Sequence, residues 1–243
     1  MHTLRYDGTF EGFLTLLAYL FSKGEENVRV VNARLSPLDS DFFCQDVPTQ
    51  PEVARGFFRH LRRLLPYSIF RKVFLYYLCD AAHLEVPFVR ALKESLTRKD
   101  IWWDITNRAV MELYQAERKF RRERHRWLGL LRFAELPGGV LFAPFEPSYN
   151  VLPEIQSHFV RRFPNERFMI FDTLRKLLFM YRERRGELLW IEEFDFAVPR
   201  GVDPFAELWK VYFTEIAIPE RKNPRRQQGR VPLRVRKFLP EFW

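Results

Sequence analysis

The stretch ERHRWLGLLRF, residues 123–133, sets Glu123, His125, Arg126 and Arg132 close together in the chain. A carboxylate and an imidazole are the usual groups for moving a proton, and guanidiniums are the usual groups for holding a phosphate. Glu123 and His125 are two residues apart, so on a helix they point in different directions and do not form a ready-made acid–base pair. His125 suits a general base, a phosphate contact or a buried hydrogen-bonding group. Asp7 is a further acid–base candidate, in the opening stretch YDGTFEGFLTLLAYLF. His158 falls beside Arg161 and Arg162 at helical spacing, which suits an anion contact.

The elements that must position these groups follow from apolar spacing. In the opening stretch no Lys follows the second glycine, and Asp7 and Glu11 would repel a phosphate, so the segment does not read as a phosphate loop. It reads instead as a short strand, a turn at Gly8, a helix cap at Asp7 or Thr9, and a buried stripe of Leu14, Leu17, Ala18 and Phe21. VRVVNA is a strand and SPLDSDFFCQDVPTQP a loop. Residues 52–64 form an amphipathic helix ended by Pro66, and IFRKVFLYYLCDAAHL and residues 88–98 form two more. A long helix runs from about 103 to 127, capped by Asp104, with Val110, Leu113 and Phe120 on its inner face. LLRFAEL and VLFAPF form a hairpin, LPEIQSHFVRRF a helix, and RFMIFDTLRKLLFMYRERRGELLWIEEF three strands. A final helix covers 203–217. The expected class is α+β, with an antiparallel sheet in the middle of the chain and helices before and after it. The expected organisation is one domain over 1–243: helix-rich to 128, sheet-rich over 129–200, then a helix and a basic tail.

Charge narrows the partner. The chain of 243 residues carries a formal charge of +9, which favours an anionic partner, nucleic acid ahead of a membrane surface. The positive charge falls in three runs. Residues 221–237 hold eight basic residues and no acid, including Arg221, Lys222, Arg225, Arg226, Arg230 and Arg234. Residues 55–72 hold six, again with no acid, and 118–132 hold seven, Arg121, Arg122 and Arg126 among them, against Glu123. Two cysteines, Cys44 and Cys79, and histidines in no ligand spacing predict neither a metal nor another cofactor. The apolar run at Phe13–Phe21 is too short to span a bilayer and lacks the flanks of an export signal, which points to the cytoplasm.

Five segments in order, YDGTFEGFL, DITNRAV, ERHRWLGLLRFAEL, GGVLFAPFEPSYNVLPEIQSHFVRRFPNERFMIFD and ERKNP, resemble a bacterial family of DNA-metabolism proteins built on a domain of unknown function. The resemblance runs over essentially the whole chain. Members of that family are typically encoded beside a radical S-adenosylmethionine enzyme assigned to DNA modification or repair, and in some bacteria the domain is fused to a uracil-DNA glycosylase domain. The resemblance therefore implies DNA as a partner and a role beside those enzymes. After ERKNP the family pattern continues toward a His and an aromatic pair; here Arg230 stands near the His position and Val235 and Arg236 near the aromatics. Two classes of function follow. The first is an accessory protein that binds DNA through Arg121, Arg122, Arg126, Arg132, Arg161, Arg162 and the tail. The second is a hydrolase or glycosylase-like enzyme using Glu123, His125 or Asp7, chemistry that an extruded base and one carboxylate or His can support.

Overall fold

The computed structural model describes residues 2–24, 27–35, 44–136, 138–191, 211–212, 214–215 and 223–242. The chain forms two compact units, Met1–Arg121 and Arg122–Trp243. The helix expected over 203–217 falls largely outside the described residues.

The first unit begins with strand β1 (His2–Tyr6), helix α1 (Phe10–Lys23) and strand β2 (Val28–Asn32). Its entry follows the residues present. Gly8 turns the chain at φ 76°, a region open to glycine. A Cβ there would stand 2.3 Å from the Asn32 side chain. Thr9 caps α1 by accepting the Gly12 N–H at 2.9 Å, and Gly24 closes the far end in the left-handed region. Asp7 lies outside the helix: its carboxylate accepts from the Thr9 N–H and hydroxyl and from the Thr49 hydroxyl. The buried face of α1 is wider than the expected stripe, taking in Phe13, Leu16 and Leu20 as well, while Ala18 and Phe21 are half-buried.

Strand β3 (Cys44–Asp46) lies inside the segment read as a loop. It pairs with β1 in parallel, as does β2, giving a parallel sheet in the order β2-β1-β3. Helix α2 (Pro51–Leu64) buries Ala54, Phe57 and Leu61 against α1, while Val53 stays exposed. The next helix is broken. Helices α3 (Tyr67–Phe70) and α4 (Val73–Leu78) are followed by a 3-10 turn at Asp80–Ala82, and His83 adopts φ 50°. Leu78 and Cys79 are both fully buried though adjacent.

Helix α5 (Glu85–Glu94) starts with a buried carboxyl. Burial, and secondarily the nearby Asp80, pushes Glu85 up to about 7. Its Oε2 finds no hydrogen-bond partner among the described residues. The folded state then holds a proton that the unfolded chain releases near 4.5, so this group's contribution to stability falls as pH rises from about 4.5 to about 7. Glu85→Gln should exceed the wild type in urea unfolding by no more than about 1 kcal/mol at pH 5 and by up to about 3 kcal/mol at pH 8. An equal stability difference at the two pH values would refute the assignment. Helix α6 (Arg108–Leu130) begins later than expected, because Asp104 closes a turn onto Thr106 and Asn107 supplies the cap, its Oδ1 accepting the Val110 N–H at 3.2 Å.

The second unit is built on β4 (Ala134–Leu136), β5 (Val140–Phe145), helix α7 (Leu152–Arg162), β6 (Arg167–Asp172), β7 (Leu177–Arg182) and β8 (Arg185–Trp190). The class is α+β, but the sheet is mixed rather than antiparallel. Its order is β4-β5-β6-β7-β8, and β5 and β6 run parallel. Helix α7 is the cause: it stands inside the sheet sequence and carries the chain back to the end at which β5 began, as a parallel crossover requires. The other pairs are antiparallel hairpins. Glu183 and Arg184, both at positive φ, make the two-residue turn between β7 and β8. Phe142, Phe171 and Leu178 pack as a core cluster. Two short tail helices, α8 (Pro224–Arg230) and α9 (Leu233–Arg236), complete the unit.

Candidate nucleic-acid interface

Glu123 lies on the α6 portion within the second unit and is 5% exposed. Its Oε1 accepts the Ser148 N–H at 2.8 Å and Arg234 Nη2 at 3.1 Å, and its Oε2 accepts the Tyr149 N–H at 3.0 Å. Ser148 and Tyr149 belong to the loop between β5 and α7. The same loop is held by its carbonyls: Arg175 donates to Pro147 O at 3.1 Å and to Ser148 O at 2.8 Å. Arg175 also pairs with Asp172, Nη1 to Oδ2, at 3.1 Å, with both side chains sealed from solvent. Asp172 accepts the Leu174 and Arg175 N–H groups as well. Burial pushes its carboxyl up to about 6, against the opposing pull of Arg175 and those amides. The loop is therefore clamped between an anion that takes its N–H groups and a cation that takes its carbonyls.

This geometry gives Glu123 a positioning task. His125 is exposed, and the hydrogen bonds of the Glu123 carboxylate go to Ser148, Tyr149 and Arg234 instead, in keeping with the two-residue spacing. Asp7 belongs to the first unit, where three hydroxyl and amide donors hold it. Trp127 is buried and meets Phe145 edge-on at 5.0 Å. Phe133 packs among Phe159, Phe163 and Phe168. These rings anchor the end of α6 in the second unit's core, as the sequence predicts.

The arginines divide into two groups. Some are held by the protein itself. Arg121 pairs with Glu117 at 2.8 Å, Arg234 with Glu123, and Arg132 donates to Glu241 at 2.9 Å and to Gly129 O. Lys237 pairs with Glu146 at 2.7 Å. With Val235 and Leu239 buried, the Arg132–Glu241, Arg234–Glu123 and Lys237–Glu146 pairs dock the tail onto its own unit; two aliphatic side chains of this kind add about 1.5–3 kcal/mol each. The second group faces solvent. Arg122, Arg161, Arg162, Arg225 and Arg230 are exposed and make no ion pair among the described residues. Arg162 lies over the Phe163 ring at 5.5 Å. Arg126 is half-buried. Arg221 and Lys222 lie outside the described residues, as does the Arg226 side chain.

The sequence reading missed Arg175 and Asp172. Their signal is local: an aspartate ends a strand and an arginine follows three residues later, close enough to close a turn onto it. Among the described residues no group of three His, Cys, Asp or Glu side chains is placed to hold a metal ion, and no helix is long and apolar enough to cross a membrane.

Such a module, a mixed sheet with a docked basic tail and solvent-facing arginines, is of the α+β class. Residues 84–241 match DUF4130, a domain of unknown function, and the chain belongs to that family. The opening motif YDGTFEGFL lies outside the matched residues. No curated protein matches the chain. A solved structure of the pGpG-specific phosphodiesterase PggH from Vibrio cholerae is similar at 9% identity, over 74% of this chain and 81% of that one, with a TM-score of 0.31. A likeness that low carries no argument.

Proposed function

We propose that this protein binds DNA as an accessory component of cytoplasmic DNA repair or modification, working with a radical S-adenosylmethionine enzyme and, in some settings, a uracil-DNA glycosylase. The observation that carries the DNA reading is the set of exposed arginines on α7 and α8: Arg161, Arg162, Arg225 and Arg230 have no intramolecular ion pair among the described residues. Unneutralised guanidiniums on a chain of net charge +9 suit phosphate contact, which is sequence-independent and strengthens at low salt. The resemblance of the five motifs supports the choice of partners. Glu123, with three donors on its carboxylate, supports binding more than proton transfer.

Purified protein, duplexes with and without a uracil or an alkylated base, and the radical enzyme form the test. The protein alone should bind both duplexes and leave them chemically intact. The radical enzyme should then process damaged DNA faster in its presence. Product formed by this chain alone would establish the enzyme reading instead, and absence of DNA binding would refute both.

A further inference from the structure

The first unit carries a row of aromatic rings beside its own set of arginines. Phe70 meets Phe58 at 5.0 Å between ring centroids, Phe58 meets Phe10 at 6.0 Å, and Phe10 meets Phe74 at 5.2 Å. The inner rings belong to ordinary packing, but the row opens to solvent at its end, where Phe74 is 42% exposed. Tyr67, adjacent in sequence to this cluster, is 75% exposed with the Arg71 guanidinium 5.7 Å above its ring.

Helix α2 explains how rings and charges come to share a face. Arg55, Phe58, Arg59 and Arg62 recur at spacings of three and four, so they fall on one stripe, while Ala54, Phe57 and Leu61 take the buried side. Glu52 pairs with Arg55. Arg59 and Arg62 are exposed and make no ion pair among the described residues. A membrane surface would match the charge and takes aromatic rings at its headgroup level, but the apolar face of α2 is already buried against α1, so no free apolar helix face is left to enter it. A DNA duplex would match the charge too, yet its bases are stacked and turned inward. Unpaired nucleotides match both features, because each carries a phosphate and an open π face.

We propose that this surface of the first unit binds single-stranded DNA, with bases stacking on the exposed rings and phosphates held by the arginines of α2. The proposal rests on the DNA-binding reading above for the identity of the polymer, and it adds a site and a strand preference to that reading.

Fluorescence anisotropy with a labelled oligothymidylate and a duplex of the same length tests it on the full chain. The variants are Tyr67→Ala, Phe74→Leu, which keeps apolar bulk but removes the ring, and the pair Arg59→Ala with Arg62→Ala. Each ring variant should lower oligothymidylate affinity about tenfold and leave duplex affinity within about twofold. The arginine pair should lower it further and flatten its salt dependence. Unchanged oligothymidylate affinity in the combined Tyr67→Ala and Phe74→Leu variant, with its melting temperature preserved, would overturn the proposal while duplex binding keeps the broader reading intact. Tighter binding to oligouridylate than to oligothymidylate would overturn the assignment to DNA. Failure of the wild type to bind either DNA would refute the broader reading itself.

Discussion

Arg175→Met should destabilise the second unit by about 3–5 kcal/mol, the usual consequence of removing one partner from a buried ion pair. The guanidinium is 1% exposed and meets Asp172 at 3.1 Å. Its loss takes the cation from that carboxylate, which keeps only its two amide donors, and leaves the carbonyls of Pro147 and Ser148 without their donor. The pH dependence has a definite sign. Burial already holds the Asp172 carboxyl up at about 6, and without Arg175 it must rise further. A raised folded-state carboxyl loses stability as pH climbs through the window above the unfolded value. The deficit of the variant should therefore be larger in urea unfolding at pH 8 than at pH 5. Adding Asp172→Asn should recover part of it at pH 8. A deficit below about 1 kcal/mol would show that the clamp on the β5–α7 loop does not hold the fold.

Replacing Arg161, Arg162, Arg225 and Arg230 together with Ala should lower duplex affinity at least about a hundredfold near physiological salt. It should also flatten the slope of log affinity against log salt by roughly three to four, about 0.9 for each phosphate that is no longer neutralised. These side chains are exposed and outside the ion pairs that dock the tail, so the melting temperature should hold. Arg234→Ala should behave differently: it removes a partner of Glu123 and should register in stability before it registers in binding. A quadruple variant with an unaltered salt slope would place the phosphate-binding groups elsewhere.

What the sequence made legible was local. Gly8, Thr9 and the apolar run after them specify the strand–turn–helix entry, since turn, cap and stripe are all written within a few residues. The five strands of the second unit were legible for the same reason, from short apolar runs rich in Leu and Phe between turns. Their order was not, because whether β5 and β6 run parallel depends on how α7 packs. Strand β3 was hidden: Cys44, Gln45 and Asp46 have no strand pattern of their own and are extended because β1 pairs with them. The site divided in the same way. Trp127 and Phe133 read as core anchors from their size and place. The partners of Glu123 did not, since Ser148 lies 25 residues away and Arg234 lies 111 away. The tail read as a basic segment suited to phosphate; Val235 and Leu239, spaced four apart among its basic residues, are what dock it.

On the proposed reading, the solvent-facing arginines of α7 and α8 meet DNA phosphates. Arginine-selective modification with phenylglyoxal, read residue by residue by mass spectrometry with and without a duplex, tests it most directly. Arg161, Arg162, Arg225 and Arg230 should react readily in the free protein and be protected when DNA is bound, while buried Arg175 should stay unreactive in both. Equal reactivity of those four residues with and without saturating DNA would show that they do not contact it.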